Sequence, residues 1–337
     1  MRATDLPLPS SNTSKWAPKF ESLQQAARWF ACLRSEDVTD KDRAGWRAWH
    51  EQHAEHREAW KYVETVSQRF ENLQPESEQH AAAAALKAAQ RVTRRQALNM
   101  IAILAGGGML GWTTIQHAPL PAMASGADYR TGTGEIREIT LADGTRVWLN
   151  TASALNADYR PSLRHVRLVA GEVLIETAQD AGRPFVVDTS QGRLRALGTR
   201  FTVRQFDGAT YLAVYEGAVE VRTAGNDATQ VVQAGEQVTF SSDVISPPMP
   251  AERARKAWAR NVLLADNIPL KDLIEELARY RRGHLGVTPA IADLRVMGTY
   301  PLDDPDRVLA MLESALPVQV RRTLPWWVTV EARPTGR

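Results

Sequence analysis

The sequence predicts a multidomain protein: a small α-helical unit, one transmembrane helix, an all-β domain and a C-terminal α+β module. Three observations carry that expectation. From Ala97 to Ile115 no side chain is charged. Upstream of that stretch apolar residues recur at spacings of three and four, and from about residue 129 onward they alternate every second position. Beyond residue 259 the two patterns interleave. The expected boundaries are a tail over 1–18, a helical unit over 19–90, a span over 94–116 and a linker over 117–128. A β domain over 129–245, a second linker over 246–258 and the C-terminal module over 259–332 follow.

Composition bounds the function. A chain of 337 residues can bury two or three cores. Its net charge of +2 argues against the strongly basic face that direct nucleic-acid binding needs. Cys32 is the single cysteine, which excludes an intrachain disulfide and cysteine-rich zinc sites. Five of the ten tryptophans fall within the first sixty residues, an unusual density.

The apolar stretch covers about 28 Å as a helix, close to the hydrocarbon thickness of a bilayer. A core helix would carry polar residues on one face, and a secretory signal would begin near the N-terminus. A single span is therefore the reading, with Ala97, Ile101, Ile103, Leu104, Leu110 and Trp112 facing lipid or a partner helix. Ala122-Met123-Ala124 keeps a cleavage site as the alternative. Lys87, Arg91, Arg94 and Arg95 crowd the N-terminal flank, whereas no Lys or Arg follows the span before Arg130. The positive-inside rule then places residues 1–95 in the cytoplasm and the remainder outside. Thr93-Arg94-Arg95-Gln96-Ala97-Leu98 also has the form of a twin-arginine signal, so Arg94 and Arg95 serve either export or topology. Gly107 and Gly111 form a G-x-x-x-G pair in a helix weakened by glycine, which suits helix packing or intramembrane cleavage.

In the helical unit Leu23, Ala26, Ala27, Phe30 and Leu33 share one face of a first helix. Asp40 is the expected cap of a second helix, along which Trp46, Trp49, His53, His56, Trp60 and Val63 form one stripe. An Ala-rich run from His80 to Ala89 suits a helical stalk. So many large aromatics in a small unit point to a face that binds another protein, although each tryptophan alone could serve core packing. His50, Glu51, His53 and His56 depart from the zincin spacing and lack a third ligand, so no metal is expected.

In the β domain Leu141-Ala142-Asp143-Gly144-Thr145-Arg146-Val147-Trp148-Leu149 reads as a strand entering and leaving an Asp-Gly turn. Val166–Ile175 with Gly171, Tyr215–Val221 with Gly217 and Val232–Phe240 with Gly235 read as further strand pairs hinged on glycine. Many short strands at even spacing mean a sandwich, a barrel or a coiling solenoid. Asp143, Glu172 and Glu216 look like turn residues, no nucleophile–base pair is evident, and neither an enzyme nor a cofactor is expected.

Beyond the Ser246–Pro250 linker the order is β-α-β-β-α-β. Val262–Leu264 is a strand. Pro269 opens a helix with Leu270, Leu273, Ile274, Leu277 and Tyr280 on one face. Strands over Leu285–Thr288 and Val296–Tyr300 precede a helix capped by Asp304, with Pro305 at its first position, that buries Val308, Leu309, Leu312 and Leu316. Val318–Arg321 and Trp327–Val330 close the module.

With these pieces in place the chain resembles the FecR-family transmembrane anti-sigma regulators over nearly its full length. The resemblance is carried by Ala27-Arg28-Trp29, Leu33, Trp46, Trp49 and Glu55-His56-Arg57-Glu58-Ala59-Trp60 in the first unit. In the β domain it is carried by Leu141–Asn150, Gly171-Glu172-Val173, Arg183-Pro184-Phe185-Val186-Val187 and Leu197-Gly198-Thr199-Arg200-Phe201. The C-terminal part is similar to the short secretin/TonB-receptor N-terminal (STN) type of module. The resemblance implies a Gram-negative inner-membrane protein whose cytoplasmic unit holds an extracytoplasmic-function (ECF) sigma factor. Trp29, Leu33, Trp46, Trp49, His56 and Trp60 are then the candidate contacts. It also implies that the periplasmic part senses the signalling domain of a TonB-dependent outer-membrane receptor, usually one occupied by an iron carrier. In several members proteases pass the signal inward. The competing expectation is a membrane-tethered periplasmic module for glycan or another envelope ligand.

Overall fold

The computed structural model describes residues 19–35, 38–71, 126–196 and 198–334. The tail, the stalk, the span over 94–116 and the pair Arg94 and Arg95 lie outside those residues. Among the described residues no helix is long and apolar enough to cross a membrane. What the structure provides is a small helical region followed by a large β-rich body.

The β domain is a sandwich of two seven-stranded sheets. Its strands are β1 (Tyr129–Arg130), β2 (Arg137–Thr140), β3 (Arg146–Leu149), β4 (Ala154–Arg160), β5 (Leu163–Ala170), β6 (Glu172–Glu176) and β7 (Phe185–Asp188). They continue with β8 (Gly192–Ala196), β9 (Arg200–Phe206), β10 (Ala209–Glu216), β11 (Ala218–Thr223), β12 (Thr229–Gln233), β13 (Glu236–Phe240) and β14 (Met249–Pro250). One sheet runs β1-β4-β5-β7-β8-β11-β12 and the other β14-β13-β10-β9-β6-β3-β2. Period-two alternation sends Leu155, Val166, Leu168, Phe185, Val187 and Leu194 of the first sheet into one core with Val147, Leu149, Val173, Ile175, Phe201 and Leu212 of the second. Among the described strands of the sandwich only β5 and β7 pair in parallel.

Three of the four expected glycine-hinged pairs are not hairpins. Only β2 and β3 pair with each other across their turn. At Gly171, Gly217 and Gly235 the chain leaves one sheet and enters the other, so the flanking strands find different partners. A glycine with positive φ suits a corner as well as a hairpin, which is why the sequence does not separate them. At Gly171 the need is steric too. With φ at +84°, a Cβ there would lie 2.3 Å from Ser153 Oγ and 2.6 Å from its Cα.

The turn between β2 and β3 is held by Asp143. Its carboxylate accepts from the Thr145 N–H (3.0 Å), the Thr145 hydroxyl (2.7 Å), the Tyr159 hydroxyl (2.9 Å) and Arg164 Nη1 (2.8 Å). Burial alone would raise its pKa, but those hydrogen bonds hold it below the usual carboxylate range. The ion pair is almost dry, with side-chain exposures of 5% for Arg164 and 2% for Asp143. Asp143→Ala therefore leaves a buried guanidinium without its carboxylate, at a cost of about 3–5 kcal/mol. The expected readout is a lower urea midpoint at unchanged slope.

The segment 246–258, expected to be a linker, contributes edge strand β14 on β13 and enters a 3-10 turn over Arg253–Arg260 that buries Trp258. The C-terminal module then runs β15 (Val262–Pro269), α4 (Leu270–Ala278), β16 (His284–Val287), β17 (Arg295–Pro301), α5 (Pro305–Ala315), β18 (Val318–Leu324) and β19 (Trp327–Ala332). Asp304 caps α5 as expected, accepting from the Arg307 N–H at 3.0 Å with Pro305 behind it. The strands divide into a β15–β17 ribbon and a sheet ordered β16-β19-β18. Leu273, Ile274 and Leu277 of α4 share a core with Val308 and Leu309, and that core extends onto Trp148 and Leu174, the outward-facing residues of β3 and β6.

Partly buried Glu275 on α4 has its pKa raised to about 6, chiefly by burial, with Arg204 opposing. A carboxyl whose folded pKa lies above its unfolded value favours the fold while protonated. That contribution is complete below the unfolded value near 4.5 and is lost as pH rises through 6. Between pH 5 and 7 the melting temperature of the wild type is expected to fall relative to Glu275→Gln, by thermal melts in matched buffers.

Candidate functional site: the aromatic helical unit

The helical unit comprises α1 (Phe20–Leu33), α2 (Asp40–Gln52) and α3 (Ala54–Glu71). The α2 cap is Thr39, one residue before the expected Asp40. Its hydroxyl accepts from the Asp42 N–H (3.2 Å) while the Asp42 carboxylate accepts from the Thr39 N–H (2.9 Å), a capping box. The expected stripe from Trp46 to Val63 lies on two helices rather than one. His53 adopts an extended backbone (φ −140°, ψ 148°) and breaks the run between Gln52 and Ala54. No glycine or proline announces that break, so the helical spacing reads straight through it.

The break folds α3 back, and the stripe closes on itself. The His56 ring lies flat on Trp49, with centroids 4.6 Å apart and planes 10° from parallel. Its Nδ1 donates to the Trp49 carbonyl at 2.7 Å, which fixes the ring at the corner. The Trp49 indole N–H in turn donates to Gln25 Oε1 on α1, at 2.5 Å. Trp46 packs on Trp60 at 5.0 Å, and Trp60 on Phe30 at 5.7 Å. Trp29 lies over Gly45, where a Cβ would come within 2.9 Å of its ring, so a glycine is what lets α2 approach α1. Leu33 sits in the last turn of α1.

All six candidate contacts, Trp29, Leu33, Trp46, Trp49, His56 and Trp60, are half-buried, and the rings fall into two contact groups, Trp46–Trp60–Phe30 and Trp49–His56, with Trp29 set against Gly45. Much of that packing holds the three helices to each other. Yet α2 itself buries no residue, and the Trp46 indole N–H is enclosed without an acceptor. The outer side of α2 therefore faces solvent. Among the described residues no group of three His, Cys, Asp or Glu side chains stands close enough to hold a metal.

The opposite side of the unit is covered by the C-terminal sheet, a contact with no signal in the sequence. Leu23, Ala26, Ala27 and Phe30 of α1 join Ala59 and Val63 of α3 in a core that Trp326 and Trp327 complete. Phe30 meets Trp326 edge-on at 5.6 Å, and Tyr62 meets Trp327 at 6.1 Å. Gln24 Nε2 donates to the Thr329 hydroxyl at 2.9 Å inside that contact. Beneath Trp327 the stacked ring of His284 (3.9 Å) is fully enclosed; burial first, then Arg281, pushes its pKa down to about 3, so it is neutral. Docked in this way, the helical unit and the C-terminal sheet share one side of any bilayer.

Residues 127–220 match the family model described as FecR protein, and residues 24–66 match the one described as Domain of unknown function (DUF4880). Residues 127–220 of the chain thus carry a FecR-type domain. The second match covers α1 to α3 up to Val66 and so contains all six aromatic-unit candidates. Two crystal structures of a proposed anti-sigma factor from Parabacteroides distasonis, at 2.50 and 1.65 Å resolution, share its fold. Each is 22% identical, with a TM-score of 0.50, over 60% of this chain and 97% of the other. No curated protein matches the chain.

Proposed function

We propose that this chain is an anti-sigma regulator whose helical unit holds an ECF sigma factor. The observation that carries the proposal is the aromatic pair on α2. A short helix without one buried residue keeps Trp46 and Trp49 half-exposed, where a partner can complete their burial. Buried aromatic anchors of this kind dominate the energy of protein interfaces. The FecR and DUF4880 matches and the fold shared with a proposed anti-sigma factor support the same reading.

On this proposal the chain crosses the inner membrane once through residues 94–116, with the helical unit in the cytoplasm and the β-rich body in the periplasm. The bilayer then holds the helical unit away from the sheet that receives it in the docked form. The periplasmic body answers the signalling domain of a TonB-dependent receptor engaged in iron-carrier uptake, with proteolysis as the relay. The proposal assigns the chain no reaction of its own and no cofactor. Purification of the full chain from its native cells through an N-terminal tag tests it, with co-purifying proteins identified by mass spectrometry. A sigma factor at near-equal amount is the expected result. Recovery of the folded chain without one would turn the proposal toward a tethered binder of an envelope ligand.

A further inference from the structure

The residues Asn150 and Glu172, which lie in two of the family-like segments, point away from the sandwich core. On β6 the side chains of Val173 and Ile175 face inward, so Glu172 and Leu174 face outward. Arg204 pairs with Glu172 in the β6–β9 register and shares that outer face. There the C-terminal module covers them: Glu172 is 1% exposed, Asn150 0% and Arg279 7%.

The contacts form one continuous chain between the two bodies. Arg279 Nη1 at the end of α4 donates to Glu172 Oε2 at 2.7 Å, and Asn150 Nδ2 donates to the same oxygen at 2.9 Å. The Tyr280 hydroxyl donates to Asn150 Oδ1 at 2.7 Å. Arg204 Nη1 meets Glu276 Oε2 at 3.0 Å, and Arg279 also bonds Glu276. Burial alone would raise the Glu276 carboxyl, but Arg279, Arg204 and Arg255 hold it far below its usual range. The link then reaches the start of the sandwich. The Thr151 hydroxyl donates to the Arg279 carbonyl at 3.0 Å and accepts from the Gly134 N–H at 2.8 Å. Gly134 has φ +81°, and a Cβ there would stand 3.0 Å from the Tyr280 carbonyl oxygen.

We propose that the sandwich and the C-terminal module are locked together through Glu172, Arg279 and Thr151, so that α4 and the turn over residues 131–134 move as one unit. That turn follows directly on β1, the first strand of the sandwich. The lock itself does not depend on what the helical unit binds; only its use as a relay toward the membrane rests on the proposed function. A buried, multiply hydrogen-bonded junction of this kind opens only as a unit.

Amide hydrogen exchange on the full chain in detergent tests the lock from both ends. Arg279→Met, made in the C-terminal module, is expected to speed exchange about tenfold in the peptide over 129–136, more than 140 residues away in sequence, while leaving β12 protected. Thr151→Val removes the hydroxyl between Gly134 and Arg279 without touching a charge, and covers the case in which Arg279→Met fails to fold. Because coupling is reciprocal, it is expected to speed exchange over 276–282 in turn. Exchange that rises only in the mutated body, for a folded variant, overturns the lock. Loss of sigma-factor capture with these couplings intact would overturn the proposed function and leave the lock standing.

Discussion

Replacing Trp46 and Trp49 by alanine is expected to weaken capture of a sigma factor at least about 30-fold for each change, the scale of an aromatic hot spot. Neither position is fully buried, since α2 buries no side chain. Trp46 is the cleaner probe, because Trp49 also stacks on His56 and bonds Gln25. Trp60→Ala would be a poorer probe, because Trp60 bridges Phe30 and Trp46 and its removal loosens the unit. The measurement is binding of the purified partner to the full chain, with far-ultraviolet circular dichroism as a check on helicity. Unchanged affinity at unchanged helicity would reduce the aromatic pair to internal packing and move the partner's footprint elsewhere on the unit.

A chain carrying Gln24→Cys and Thr329→Cys, in a Cys32→Ser background, is expected to behave oppositely in two settings. The native side chains meet at 2.9 Å inside the contact, so a mild membrane-permeant oxidant is expected to close a disulfide between the two thiols in the detergent-purified protein. In intact cells treated with the same oxidant the bridge is expected to be absent, because the proposed topology sets the bilayer between the two positions. The contrast is close to all-or-none, since a hydrocarbon core of about 30 Å far exceeds the reach of a disulfide. A bridge formed in intact cells would place both units on one side and remove the proposed topology. No bridge in detergent would mean that Trp326 and Trp327 meet α1 only weakly once the units are free.

Periodicity made most elements legible. The apolar face of α4, the Asp304 cap of α5 and the strand around Val166 all follow from local chemistry. What stayed hidden depends on partners distant in sequence. The spacing of Trp46, Trp49, His53 and His56 suits one long helix, and only the Trp49–His56 stack shows why the chain turns at His53. Gly171, Gly217 and Gly235 announce turns, but whether a strand then pairs backward or crosses to the facing sheet is decided by the rest of the sandwich. Glu172 looked like a turn carboxylate because nothing near it in sequence hints at Arg279. How the candidate residues of the helical unit divide between self-packing and exposed surface is not legible in the sequence, because that division depends on Trp326 and Trp327 far downstream.

The way the sandwich is threaded bears on how this protein can be cut. Past β1 the chain supplies strands to each layer mostly two at a time, so a cut between β4 and β12 divides both layers. The FecR match ends at residue 220, inside β11. A fragment trimmed there would lose β12, β13 and β14, and with them Val232, Val238 and Phe240 from the shared core. Such a fragment would expose strand edges in both layers at once, a recipe for aggregation. The smallest soluble piece of this domain should extend through residue 250, and a boundary drawn from the family match alone would misjudge it.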